Sequence, residues 1–197
     1  MSANVYLAPE ERIALERARV GVAGAGGLGS NCAAHLVRAG VRKLVLADFD
    51  VVAESNLNRQ FFFRDQLGES KVSALADNLR RIEPGLELDL REGRLDAEGC
   101  REAFRGCDVV VEAFDSAEAK GMLYAALAGM KVVGASGLGG WGRSGAIRVR
   151  RVGANMVLVG DFESDVAEGA PPQSPRVGIA AAMEANAAVA LLLGLEP

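Results

Sequence analysis

The segment Gly24-Ala25-Gly26-Gly27-Leu28-Gly29-Ser30 places four glycines in six positions, between the apolar run Val20-Gly21-Val22-Ala23 and the helix-forming run Asn31–Val37. A chain can leave a buried strand and enter a helix this abruptly only where no Cβ obstructs the turn or the close passage of backbone. The helix that follows turns free N–H groups and the positive end of its dipole toward the loop, so the segment reads as a phosphate-binding turn. Gly24, Gly26 and Gly29 fit the G-x-G-x-x-G spacing, and that spacing by itself serves a dinucleotide as readily as any other nucleotide.

The rest of the chain repeats the strand–turn–helix unit. Val20–Ala23, Lys43–Ala47, Leu86–Leu90, Val109–Val111 and Val132–Val133 read as strands, with helices at Ser30–Ala39, Lys71–Ile82, Ala97–Arg105 and Ala117–Ala128. Gly40 supplies one helix stop, and Val72, Leu75, Leu79 and Ile82 form an apolar helical stripe closed by Pro84-Gly85. Such alternation predicts an α/β, Rossmann-like fold: a mostly parallel sheet with helices on both faces. Beyond Gly134 the pattern changes. Ser136–Gly142 is glycine-rich, and Ala146–Arg150 with Met156–Val159 predicts an antiparallel C-terminal extension. Residues 161–176, with their acids and three prolines, predict a surface loop. A C-terminal helix is expected at about 178–193, where Glu184 and Asn186 suit a packed helix better than a membrane anchor. One domain, 1–197, accommodates all of this.

Composition narrows the partners. Hydrophobic residues are 50% of the chain and aromatics 5%, the mark of an aliphatic core beneath close-packed helices. Lys and Arg number 22 against 26 Asp and Glu, and no basic block offers a nucleic-acid footprint. The N-terminal stretch Met1–Tyr6 lacks the basic-then-apolar order of a secretory leader, so a cytoplasmic location without a membrane partner is expected. Cys32, Cys100 and Cys107 form no C-x-x-C pair, which predicts neither a disulfide framework nor a zinc site. His35, with nothing beside it in sequence to orient it, reads as a packed or surface histidine.

In open α/β sheets ligands bind outside the carboxyl ends of the strands, so Gly24, Gly26, Gly27 and Gly29, then Asp48, then Asp115 should converge on one crevice. Asp48 is followed by Ser55-Asn56-Leu57-Asn58-Arg59-Gln60 and by Lys71 at the start of a helix. A dehydrogenase has no use for that cationic series, whereas a triphosphate has. The combination points to ATP rather than a nicotinamide cofactor. Asp50 on its own reads as a turn residue and stays outside the set.

Taken together, Gly24-x-Gly26-Gly27-x-Gly29, Asp48-x-Asp50, Ser55 to Gln60, Lys71 and Asp115 resemble the adenylation domain of the ThiF, MoeB and ubiquitin-activating enzyme superfamily. The resemblance runs from about Val20 to Gly134, and Gly160–Ser164 with Pro175–Ala181 is similar to a short ThiF subtype. It implies an ATP-dependent adenylyltransferase. The C-terminal glycine carboxylate of a ThiS-like, ubiquitin-fold sulfur carrier would become an acyl-adenylate, with release of pyrophosphate, in thiamin thiazole biosynthesis. By the same resemblance Gly24 to Gly29 face the phosphates and Asp48 takes the ribose hydroxyls. Ser55, Asn56, Arg59 and Lys71 hold the triphosphate, Asp115 holds Mg²⁺, and the protein is a homodimer. Arg59, Lys71 and Asp115 carry the catalysis. The chemistry suits these residue types: a carboxylate nucleophile needs no general base near pH 7, only neutralised phosphates and a fixed approach to Pα.

Two departures from the superfamily stand out. The paired C-x-x-C zinc ligands of its larger members are absent, so no zinc is expected, and the N-terminal Arg-Gln pattern that reaches a partner subunit's nucleotide is missing, leaving Arg12 or Arg17 as substitutes. Rival readings are an NAD-dependent oxidoreductase, a non-catalytic nucleotide-binding module, and activation of a different ubiquitin-like carrier. Trp141, flanked by glycines, reads either as core or as the lining of a channel for a thin glycine tail.

Overall fold

In the computed structural model, which describes residues 6–164 and 169–197, one seven-stranded sheet runs in the order β3-β2-β1-β4-β5-β7-β6. Its strands are β1 (Arg19–Ala23), β2 (Lys43–Asp48), β3 (Glu87–Glu92), β4 (Val109–Glu112), β5 (Val132–Ala135), β6 (Arg148–Val152) and β7 (Met156–Gly160). Every neighbouring pair is parallel except β6 with β7. The expected antiparallel extension is therefore continuous with the main sheet, because β7 pairs parallel to β5 and carries β6 at the edge. β6 begins two residues later than the sequence suggested, after a 3-10 turn over Ser144–Ala146.

The helices are α1 (Pro9–Arg17), α2 (Gly27–Ala39), α3 (Lys71–Ile82), α4 (Ala97–Ala103), α5 (Ala117–Ala126) and α6 (Ser174–Leu193). Strand alternation decides which layer each helix covers. Val20 and Val22 of β1 point into a core with Leu15 of α1, Leu36 and Val37 of α2, Leu75 and Leu79 of α3, and Ala181 and Ala188 of α6. Ala23 points the other way, into a core with Phe104 and with Leu123 of α5. At Gly21 a Cβ would overlap the Phe104 ring. β1 is thus buried on both faces, as a central parallel strand requires.

Two expectations are corrected here. The glycine motif is not a free loop throughout: α2 begins at Gly27, since the Ser30 amide already bonds the Gly26 carbonyl at 3.0 Å. Nor is 161–176 all surface. Ser174–Arg176 are the first turn of α6, Asp161 and Arg176 are 7% and 2% exposed, and the two side chains pair at 2.5 Å. Proline at the first helical turn is compatible with helix, because the amide it lacks has no partner there. By length and apolarity α6 would pass for a membrane span, yet 56% of its most apolar window is buried in the protein, against α2 and the sheet.

Candidate functional site

β1 and β4 are neighbours, although β2 and β3 intervene in sequence and lie on the other side of β1. Here the strand order reverses, and the chain leaving β1 and the chain leaving β4 part to opposite faces, opening a crevice at the carboxyl edge. Gly24 stands at this point with φ +103°, its amide donating to the Ala47 carbonyl at 2.8 Å. A Cβ there would lie 2.6 Å from the Ala113 carbonyl oxygen. Gly29 is needed for another reason: its Cβ would fall inside the Gly24 carbonyl oxygen, so α2 can lie this close to β1 only without a side chain. The amides of Gly27, Leu28 and Gly29, in the first turn of α2, have no earlier helical carbonyl to bond. Residues 26–28 are only partly buried. The geometry leaves an anion-binding helix start open to solvent.

Asp48, at the end of β2, is 8% exposed and stitches that edge together. One carboxylate oxygen accepts the Ala25 amide at 2.6 Å and the other the Asp50 amide at 2.8 Å. A carboxylate has about four acceptor positions, so each oxygen retains capacity for a sugar hydroxyl.

Arg59 reaches the loop from the turns after β2. A Cβ on Gly27 would touch its side chain, with Cγ 3.4 Å away. Its guanidinium donates to the Ser55 carbonyl at 3.2 Å and to Asn58 Oδ1 at 2.8 Å. Two residues that sequence reasoning passed over lock this arrangement. Asn31 Nδ2 donates both to the Gly27 carbonyl at 2.6 Å and to the Arg59 carbonyl at 2.9 Å. Ser30 Oγ donates to the Gly26 carbonyl at 2.6 Å and accepts the Phe61 amide at 3.0 Å. Asn56 braces its own turn, its Oδ1 accepting the Ala53 amide at 2.9 Å, and Ser55 is exposed.

Lys71 opens α3 with its side chain 6% exposed and its ammonium 2.7 Å from Asp50 Oδ2. Its amide also donates to the Asp50 carbonyl at 3.0 Å. Asp50, set aside as a turn residue, therefore anchors the lysine and ties it to Asp48 two residues away. The Asp-x-Asp spacing was a visible signal. Its lysine partner, 21 positions on, was not, since only tertiary structure joins them.

Asp115 lies beyond β4, exposed and one residue before Ser116, whose Oγ caps α5 by accepting the Ala119 amide at 3.1 Å. Glu112, fully buried at the end of β4, shapes that connection: Oε1 accepts the Phe114 amide at 2.7 Å, and Oε2 takes Lys120 Nζ at 2.9 Å and the Tyr124 hydroxyl at 2.8 Å. At Gly134 a Cβ would clash with the Tyr124 hydroxyl oxygen. Burial, then the charge and hydrogen bond of Glu112, raise the Tyr124 pKa and keep the phenol protonated. Among the described residues no cluster of three or more His, Cys, Asp or Glu could by itself hold a metal ion. The donor type of Asp115, one exposed carboxylate past the carboxyl end of β4, fits Mg²⁺, which takes one or two carboxylates and completes its shell with phosphate and water.

The remaining sequence candidates settle simply. Trp141 is 67% exposed, so it is not core. His35 is exposed. Cys32, Cys100 and Cys107 are buried free thiols. Burial pushes the Cys107 thiol up to about 11 and raises Cys32 and Cys100 as well, so all three are held as thiols rather than nucleophilic thiolates.

The chain is similar in sequence and in fold to known proteins. Over 117 residues the chain is 38% identical to the molybdopterin-synthase adenylyltransferase of Salmonella typhimurium, a match covering 59% of this chain and 47% of that protein. Over 109 residues it is 39% identical to the SAMP-activating enzyme E1 of Haloferax volcanii, covering 55% and 40%. The matched stretch thus spans less than half the length of either relative. The fold superposes on E. coli tRNA N6-threonylcarbamoyladenosine dehydratase, solved with AMP, with a TM-score of 0.88 over 98% of this chain and 93% of that one, at 20% identity. Residues 3–197 match the profile of the ThiF family from near one end of the chain to the other, and the chain belongs to that family.

Proposed function

We propose that this chain is an ATP-dependent adenylyltransferase that activates the C-terminal glycine carboxylate of a ThiS-like, ubiquitin-fold sulfur carrier for thiamin thiazole formation. The observation that carries the reading is the meeting of Arg59 with Gly27 at the start of α2, beside an edge where Asp48, Asp50 and Lys71 are bonded in series. G-x-G-x-x-G and an acid after β2 would also fit a dinucleotide. An arginine lying on the glycine turn and a lysine at the same edge favour a triphosphate, and the likeness to the Salmonella adenylyltransferase and the Haloferax activating enzyme supports carrier activation.

In this reading the amides at the start of α2 and the guanidinium of Arg59 receive the phosphates, Lys71 adds a fixed positive charge, and Asp48 accepts the ribose hydroxyls. Arg59 offers a planar fork of donors and Lys71 a point charge. Bound at Asp115 with the phosphates, Mg²⁺ would supply further charge neutralisation. A carrier carboxylate oxygen attacks Pα, the bond between Pα and the bridging oxygen breaks toward Pβ, and pyrophosphate leaves. The acyl-phosphate anhydride to AMP remains. The glycine-rich segment 136–142 follows β5, at the same carboxyl edge, where the carrier's thin glycine tail would run. The protein works as a cytoplasmic homodimer.

Intact-mass measurement of a Gly-Gly-ended carrier incubated with MgATP and this chain tests the reading. An added AMP on the full-length carrier, and none on a carrier lacking its last glycine, is expected. Tight NADH binding with no carrier adduct would instead establish the dinucleotide alternative.

A further inference from the structure

The buried pair Asp161–Arg176 lies outside the nucleotide constellation, and the chemistry above makes no use of it. Its two side chains are 1% and 2% exposed. Removing two charges from water is costly, and a buried pair is often no more stabilising than apolar residues of the same size, so stability alone is a weak reason for it. The bonds around it indicate another. Arg176 places one guanidinium nitrogen on Asp161 Oδ2 at 2.5 Å and the other on the Gly142 carbonyl at 2.6 Å. Asp161 Oδ1 accepts the amides of Glu163 and Ser164 at 3.0 and 2.8 Å and the Ser164 hydroxyl at 3.0 Å.

The same Ser164 oxygen accepts the Gly139 amide at 2.9 Å, the Asp161 amide donates to the Gly137 carbonyl at 3.0 Å, and the Gly140 amide donates to the Pro171 carbonyl at 3.1 Å. Gly137, Gly140 and Gly142 have φ of +77°, +77° and +64°, a path that residues with side chains adopt at a cost. An intrinsically loose glycine segment is thus fastened along its length, and its far end depends on Arg176. On the other side of Arg176, Val177 abuts the phosphate turn: a Cβ on Gly27 would lie 3.1 Å from Val177 Cγ1.

We propose that Asp161 and Arg176 are positioning residues that hold the Gly137–Gly142 segment in register with the nucleotide, so that they govern use of the carrier tail and not the binding of ATP. The proposal rests on the adenylyltransferase reading. Its reasoning is geometric: both ends of the segment meet the pair, whereas the hydrogen bonds that fix Arg59, Lys71 and Asp48 involve neither residue.

Trp141, the single tryptophan of the chain, sits within the segment and reports on it directly. The test uses the full chain with Asp161→Leu/Arg176→Met, an apolar replacement chosen because single removals would strand a buried charge. Arg176→Lys, which retains the charge but loses the second bond to Gly142, is the conservative companion. Expected are faster nanosecond depolarisation of Trp141 emission, unchanged ATP affinity, and a fall in kcat/KM for the carrier of about ten- to a hundred-fold, mostly through KM, with Arg176→Lys intermediate. Unchanged Trp141 depolarisation, or equal losses in ATP affinity and carrier use, would overturn the proposal. A wild-type protein that adenylates no carrier, while Trp141 still loosens in the double variant, would overturn the adenylyltransferase reading and still support the hold on the segment.

Discussion

At the scale of single residues, the site is built from side chains that serve twice. Asn31 and Ser30 are helix residues that also fasten the Arg59 turn to the glycine turn, so the arginine's methylenes lie on Gly27 before any ligand arrives. Preorganisation of this kind is what a phosphate transition state rewards. Lysine in place of arginine retains the charge but loses the fork and the bond to Asn58. Arg59→Lys should therefore lower kcat for carrier adenylation by about 10²-fold with little change in thermal midpoint, as steady-state kinetics and melting would show. A loss below a few-fold would mean that Arg59 does not contact the phosphates. Asp115→Ala should cost about 10³-fold while leaving the fold intact, since the exposed carboxylate makes no core contact and its loss removes charge stabilisation worth several kcal/mol. Near-normal turnover would remove Asp115 from the site.

At the scale of elements, what was legible followed from periodicity, and what was not followed from tertiary pairing. The stripe of Val72, Leu75, Leu79 and Ile82 gave α3 its observed bounds, Lys71–Ile82. The sequence places the start of α2 at Ser30, whereas the helix begins at Gly27: glycine is a poor helix former, but the position demands bare amides and close packing more than it demands propensity. α1 is a helix that the strand–turn–helix pattern does not reach, although Pro9 at its start followed by Glu10 and Glu11 is an opening signal. The pairing of Lys71 with Asp50 and of Arg176 with Asp161 joins residues 21 and 15 apart, beyond any local pattern. Glu184 marks a packed helix in the sequence, but not the burial of its carboxyl. It lies mid-way along α6, fully buried, and among the described residues neither carboxylate oxygen has a hydrogen-bond partner. Burial first, then the charge of Glu112, raises its pKa well above 4.5, with Lys120 acting in the opposite direction. A carboxyl whose folded pKa is raised gives stability that is full below its unfolded pKa, about 4.3, and lost as pH rises through the folded value. Glu184→Gln removes that titration. Urea midpoints of variant and wild type should differ least below about pH 4, the variant gaining progressively as pH rises. A difference independent of pH would show that Glu184 does not titrate between the two states.

At the scale of the whole molecule, the candidate site residues gather on one edge of one sheet. The glycine turn follows β1, Asp48 ends β2 and Asp50 follows it, Asp115 follows β4, and the fastened glycine segment follows β5. Strand order, not sequence order, makes these neighbours. α6 is the element that links them: its first turn meets both Gly27 and Gly142, while its body fills the core against α2. In the proposed reaction, nucleotide and carrier tail would take adjacent places on this frame, as a reaction that needs positioning and charge rather than a general base requires. The most direct measurement is ATP–pyrophosphate exchange against a panel of Gly-Gly-ended ubiquitin-fold carriers with magnesium present. Label should enter ATP only when an intact carrier is added, and should stop entering when the carrier's final glycine is removed. Exchange at background with every carrier, by protein that still binds MgATP, or exchange that proceeds equally without a carrier, would contradict carrier adenylation as the role of this site.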